Sequence, residues 1–287
     1  MEVTMNQIGV MLESFHTDIL SAIALAAKCR ADGVQFYGGT GISDCDNLST
    51  GEKLNIRKQL QKSGLTVSAV CADLGGHGFA NESDNPQRIQ KTKRIMQWTK
   101  ELDCSIITTH LGVIPNEKNK TWHTLSDACK RLNELGEACE ISVALETGSE
   151  TVPDLKQFLT DINCPHIAVN YDPANLVMVT GDDPCMGVLQ LHNKIVHVHV
   201  KDGIMLKKTD PAFIYNYFAE GGIEDFRLSD YFLETPLGKG SVDIPKWIKT
   251  LKSISYKGFY TIERETHLED CFLEISSCVS LVRSLLK

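Results

Sequence analysis

Eight short runs of aliphatic and β-branched residues recur along this chain, at 7–12, 33–37, 65–71, 105–110, 143–146, 166–172, 195–202 and 258–263, each followed by a stretch long enough for a helix. Strands joined through helices pair in parallel, because a helix carries the chain back to the edge where the next strand starts. Eight such units predict an α/β fold, a single (β/α)8 TIM barrel over residues 1–287 with a long loop after strand 7. An open doubly wound sheet would call for a Gly-rich phosphate loop early on, and no Gly-x-Gly-x-x-Gly follows the first run. Thr17 or Asp18 is expected to cap a helix running to about Arg30. The segment 203–243 is too long for a simple connection and carries aromatics that include Phe213, Tyr215, Phe218 and Phe232. A segment of that kind at the catalytic end of a barrel reads as a lid or an oligomer contact.

The seventh run, Ile195-Val196-His197-Val198-His199-Val200-Lys201-Asp202, sets its alternate residues on one face. Three valines form the back, as in a parallel strand packed on helices. The other face turns polar only toward the C-terminal end, where His199 is followed by Lys201. Other runs end the same way: the fourth at His110, the fifth at Glu146, the sixth at Asp172 and the eighth at Glu263. In a barrel these limits converge on one mouth. Two Glu, one Asp and one His meeting there form an oxygen and nitrogen donor set for one divalent cation. The carboxylate majority favours harder ions, with Mn²⁺ the leading choice and Mg²⁺, Co²⁺ or Zn²⁺ the alternatives. No thiolate stands at these positions, which argues against a closed structural zinc site.

Each of these residues also has an ordinary reading. A lone acidic residue at a strand end faces a loop or caps a helix, and Asp172-Pro173 alone marks a turn. The coincidence of four such ends on strands five to eight carries the argument. His197 is expected one layer below His199 as a hydrogen-bonded interior group. His110 would donate to substrate or make a structural bond, and Lys201 would contact a substrate oxygen or pair with Asp202. Arg264 has the wrong parity for the interior and is expected to brace the barrel wall. Glu265 has the right parity but falls in a loop, and Trp98, Trp122 and Trp247 read as helix packing.

The formal net charge is -8, so nucleic acid is a disfavoured partner without a basic groove. No apolar run reaches bilayer length and residues 1–10 lack the pattern of a secretory signal, so no membrane partner is expected. The ten cysteines are scattered without a Cys-x-x-Cys pair. They read as reduced, buried small hydrophobes, and the expected location is cytoplasmic.

The segments Ala144-Leu145-Glu146-Thr147-Gly148, Asn170-Tyr171-Asp172-Pro173-Ala174-Asn175, His197-Val198-His199-Val200-Lys201-Asp202, Pro236-Leu237-Gly238-Lys239-Gly240-Ser241-Val242-Asp243 and Thr261-Ile262-Glu263-Arg264-Glu265 resemble the sugar phosphate isomerase/epimerase family of xylose-isomerase-like barrels. That family includes ketose 3-epimerases and inosose dehydratases. The resemblance runs along the whole chain and is strongest from about residue 104. It implies that Glu146, Asp172, His199 and Glu263 bind a metal and that Glu146 and Glu263 also act as acid and base. Three positions after Asp172 the ketose epimerases carry a substrate-contacting histidine; here Asn175 takes that place.

The implied activity is that of a metal-dependent isomerase or epimerase acting on a carbohydrate. A proton next to a carbonyl would be removed through a metal-stabilised enediolate. A lyase of the dehydratase or keto-glycoside elimination type would use the same metal and base. An apurinic-endonuclease-like phosphodiesterase is disfavoured by Asn175 and the acidic balance, and a non-catalytic sugar-binding protein by the complete Glu/Asp/His/Glu set. Relatives in this group also imply a possible homodimer or homotetramer.

Overall fold

The computed structural model describes residues 7–224, 226–265 and 271–287. Eight parallel strands close into a barrel: β1 (Ile8–Met11), β2 (Gly33–Tyr37), β3 (Thr66–Cys71), β4 (Ile106–Thr109), β5 (Ser142–Glu146), β6 (Ile167–Tyr171), β7 (Ile195–Val200) and, after a two-stranded excursion, β10 (Tyr260–Ile262). Sequential strands are neighbours throughout, and β1 pairs with β10 to shut the cylinder. The expected barrel is therefore the observed one, and each predicted strand lies within about a residue or two of its expected place.

The outer helices are α1 (Ile19–Lys28), α2 (Thr50–Ser63), α3 (Asn85–Glu101), α4 (Lys120–Cys139), α5 (Val152–Ile162), the single turn α6 (Pro173–Asn175), α7 (Pro184–Leu191), α8 (Pro211–Ala219), α9 (Ile244–Ser253) and α10 (Cys271–Leu286). Of the two candidate caps for α1, Asp18 takes the role, accepting from the Leu20 and Ser21 amides. The start of α2 is held by a reciprocal Ser49–Glu52 capping box. Trp98, Trp122 and Trp247 are all buried, as expected of packing residues. Eight of the ten cysteines are buried.

The barrel strands are buried on both faces, which is why they read as near-continuous apolar runs. Their registers shift at two places, between Val34 and Gln35 and between Val169 and Asn170. Each shift falls beside an amide residue that is wholly buried. An irregularity of this kind re-aims a side chain, and both amides reach interior polar groups described below.

The segment 203–243 departs from the expected irregular loop. The antiparallel strands β8 (Asp202–Met205) and β9 (Phe232–Thr235) form a hairpin, with α8 between them. Asp202 anchors this insert. Its carboxylate accepts from the backbone amides of Gly203, Gly238, Gly240 and Val242 at 2.8–3.0 Å. The close approach explains Gly240, where a Cβ would fall 2.2 Å from the Asp202 carboxylate. Asp202→Ala would strand buried donors, each costing about 1–3 kcal/mol when unpaired. A loss of about 3 kcal/mol of stability is expected, read as a lower denaturant midpoint; an unchanged midpoint would contradict the anchoring role.

Candidate metal centre and substrate cavity

Glu146 closes β5, Asp172 follows β6, His199 lies near the end of β7 and Glu263 follows β10. Barrel closure brings one ligand atom of each within 4.8 Å of the others, and all four side chains are buried. His199 Nδ1 stands at the centre, 3.4 Å from Glu146 Oε1, 3.6 Å from Asp172 Oδ2 and 3.2 Å from Glu263 Oε2. Bonds of about 2.0–2.2 Å from a cation to oxygen or nitrogen donors put neighbouring ligands roughly 3–4 Å apart. The spacing observed suits one ion.

Two buried atoms support the fit. Asp172 Oδ2 and His199 Nδ1 have no hydrogen-bond partner, and buried polar groups seldom go unpaired. The Asp172 carboxylate divides its work. Its Oδ1 accepts from the Ala174 and Asn175 amides at 2.7 and 2.9 Å, the helix-cap role, while Oδ2 is left for the centre.

Interior hydrogen bonds orient the histidine. Gln35 donates from Nε2 to Thr108 Oγ1 at 3.1 Å, which turns its Oε1 toward both histidines. His197 Nε2 lies 2.7 Å from that oxygen and His199 Nε2 lies 3.1 Å from it. Nε2 of His199 also lies 3.2 Å from Asn170 Nδ2; with the Gln35 oxygen as its acceptor, Nε2 carries the proton and the Nδ1 lone pair faces the carboxylates. His197 thus sits one layer deeper, as expected. Burial and the neighbouring His199 charge hold it well below the ordinary histidine value, so it stays neutral. Burial also works against a charged His199, but Glu263 and Glu146 outweigh it and raise its affinity for a proton well above normal. The pocket around Nδ1 therefore favours positive charge, which a metal ion satisfies in place of a proton.

The two glutamates are held differently. Glu146 Oε2 accepts from Asn170 Nδ2 and its Oε1 from Asn175 Nδ2, each at 3.1 Å. Burial raises the Glu146 pKa, but the His199 and His110 charges outweigh it and the carboxyl lies below its usual range. Glu263 Oε2 accepts from Lys201 Nζ at 3.1 Å. Burial is again overcome, here by His199 and Lys201, which hold Glu263 well below the usual carboxylate range. Asp172 differs: burial dominates and raises its pKa.

Above the quartet lies a cavity of about 260 Å³, and His110, Asn175 and Lys201 all line it beside Glu146 and Glu263. Lys201 is fully enclosed and pairs with Glu263 and Glu265. The alternative pairing with Asp202 is not what the structure shows, because Asp202 faces the insert backbone instead. Asn175 reaches the cavity, but its amide nitrogen is engaged by Glu146. Gly148 permits that approach: it adopts φ +135°, and a Cβ there would meet the Asn175 Cβ at 2.5 Å. His110 Nδ1 lies 3.0 Å from Asp73 Oδ2, with Nε2 3.8 Å from Glu146 Oε1. Burial opposes the imidazolium, yet Glu146 and Asp73 outweigh it and lift His110 to about 10. Arg264 braces the wall as expected, buried between Glu234 and Glu274.

Asp73, Gln35 and Asn170 are the site residues that strand-end reasoning passes over. Asp73 stands two residues past β3, the same kind of position as the others. Gln35 and Asn170 are lone amides inside apolar strands, a signal in their own right.

Comparison with known proteins agrees with this architecture. A family model described as Xylose isomerase-like TIM barrel matches residues 23–274. The curated protein "Putative L-ribulose-5-phosphate 3-epimerase SgbU" of Haemophilus influenzae is 22% identical over 249 residues, 80% of this chain and 77% of that protein. Among solved structures, a xylose isomerase domain protein from Planctomyces limnophilus superposes with a TM-score of 0.79 at 20% identity, covering 99% of this chain and 98% of that one. The "probable 3-DHS dehydratase AsbF involved in the petrobactin synthesis" from Bacillus anthracis gives a TM-score of 0.73 at 17% identity, covering 96% and 98%.

Proposed function

Since the chain belongs to the xylose isomerase-like TIM barrel family, we propose that it is a divalent-metal-dependent isomerase or epimerase acting on a carbohydrate that carries a carbonyl group. The observation that carries this reading is the buried quartet of Glu146, Asp172, His199 and Glu263, with two of its atoms unpartnered. These four residues would hold the ion, with Mn²⁺ the best match to three carboxylates and one imidazole. Bound there, a divalent cation polarises a substrate carbonyl and stabilises the negative charge that develops on its oxygen.

The remaining chemistry belongs to the side chains. Glu146 and Glu263 both approach His199 Nδ1, at 3.4 and 3.2 Å, and in this reading each addresses one face of a sugar lying over the centre. One removes the proton from the carbon next to the carbonyl, and the bonding pair moves into the carbonyl to give an enediolate. Proton return to the same carbon from the other face yields the epimer; return to the adjacent carbon yields the isomer. His110 and Lys201, each beside one of the glutamates, are positioned to donate to substrate oxygens. Departure of a β-oxygen from the same enediolate would instead give a lyase product. The related proteins' names divide in the same way, one an epimerase and one a probable dehydratase.

A phosphodiesterase reading draws no support here. Among the described residues the quartet is the one cluster arranged to hold a metal, whereas a multi-zinc centre needs additional ligands.

Incubation with Mn²⁺ and a panel of keto-sugars, inososes and 3-keto-glycosides in D₂O tests the proposal by NMR. Deuterium is expected on the carbon beside the carbonyl, with an epimer or isomer as product. An unsaturated product would convert the assignment to lyase. Turnover with no deuterium in substrate or product would refute the proton-abstraction mechanism.

A further inference from the structure

The cavity has two unlike halves. Its floor is the polar set already described. Its roof comes from the turn after β6, from α8 and from β9, through Val179, Ile214, Tyr215, Phe218 and Phe232. A small polyol bound on the floor offers hydroxyls and has no use for such a surface. Phe218 nonetheless lines the cavity while 62% exposed. Covering a large apolar side chain of this kind is favourable by roughly 25 cal/mol per Å² of area withdrawn from water, and an aromatic face suits an apolar ring or the C–H face of a second sugar.

The charges of the cavity point to the rest of the ligand. Asp73, Glu146, Glu263 and Glu265 line it and Asp172 lies in the centre beneath. Against these five carboxylates the described lining sets Lys201 and the His110 imidazole. Lys201 already serves two of the carboxylates. No arginine is among the described lining residues. Arg88, the nearby candidate, donates to the Gly75 carbonyl at 2.8 Å and is not among the lining residues. A phosphate ester bound at such a site normally meets an arginine or a free helix N-terminus.

We propose that the natural substrate is an uncharged, unphosphorylated keto-glycoside, an aryl or alkyl glycoside that keeps a free ketone on its sugar ring, whose ring lies on the polar floor and whose apolar substituent seats against Phe218 and Phe232. This deepens the sugar-isomerase reading and rests on it. The head group is selected by the polar floor and the substituent by the insert between β7 and β10.

The test uses the Mn²⁺-loaded full chain and matched methyl and phenyl glycosides that each keep a free ring ketone, with the parent keto-sugars and their phosphate esters. Binding is measured by calorimetry and, separately, deuterium exchange by NMR. The phenyl glycoside of the accepted head group is expected to bind at least tenfold more tightly than the methyl glycoside. Phe218→Ser, at an exposed position that tolerates change, and Phe232→Ser are each expected to reduce that ratio to below threefold. The phosphate ester is expected to bind no better than its parent sugar. Equal affinities for phenyl and methyl glycosides, unchanged ratios in both variants, or tighter binding of a phosphate ester would overturn the proposal while leaving the sugar-isomerase reading in place. Absence of both binding and exchange for every sugar and glycoside would bring down that reading and this proposal together.

Discussion

Glu263→Gln and Glu146→Gln are each expected to lower kcat by about a thousandfold, within the range of roughly 10²–10⁴ for loss of a positioned acid or base. Glutamine keeps the side-chain volume but cannot take up a proton from carbon. The two variants differ in their surroundings. Glu263→Gln removes one of the two carboxylates that neutralise the enclosed Lys201. Glu146→Gln retains an oxygen for one of the two amides that now donate to it. Circular dichroism and thermal denaturation should show both variants folded, which separates chemistry from collapse. A two-base mechanism adds a sharper signature: slow solvent exchange should persist with one epimer in one variant and with the opposite epimer in the other. Wild-type turnover in either variant would remove that glutamate from the mechanism.

Exhaustive chelation is expected to abolish activity, and added Mn²⁺ or Co²⁺ to restore it. A second readout is independent of turnover. A ligand at a hundred times its Kd stabilises the folded state by about 2.7 kcal/mol, and in a domain of this size each kcal/mol moves Tm by about 2–4 °C. The reloaded protein should therefore melt about 5–10 °C above the stripped one. The stabilisation has a structural source: without a cation, three carboxylates crowd one imidazole, and Asp172 Oδ2 lacks a partner. Identical melting curves before and after loading, with metal removal verified by elemental analysis, would dismiss the centre.

Much of the barrel and its mouth is legible from sequence because both rest on the same physics. A parallel strand enclosed on both faces must be apolar almost throughout, so a polar residue at its C-terminal limit stands out, as Glu146, Asp172, His199 and Glu263 do. The hairpin after β7 is not legible. Its strands are four residues each and lie 26 residues apart, with no two-residue turn between them to mark the pairing. What anchors it is the Asp202 carboxylate reaching backbone amides at 240 and 242, donors that almost every residue carries and that no residue type announces. The role of Gln35 is hidden for a related reason. Its partners His197 and His199 lie more than 160 positions away, and only closure of the cylinder brings β2 opposite β7.

The two residues that follow β7, Lys201 and Asp202, have different partners and meet different demands. Lys201 lines the cavity beside Glu263, while Asp202 accepts from main-chain amides of the insert. Mutation of the exposed positions of the intervening cassette therefore leaves its attachment and the Glu/Asp/His/Glu quartet in place, provided Gly203, Gly238, Gly240 and the Glu234–Arg264 ion pair are kept. A scaffold built this way lets evolution alter what a catalyst accepts independently of what it does to it, and engineers seeking new selectivity have a bounded stretch of chain in which to look.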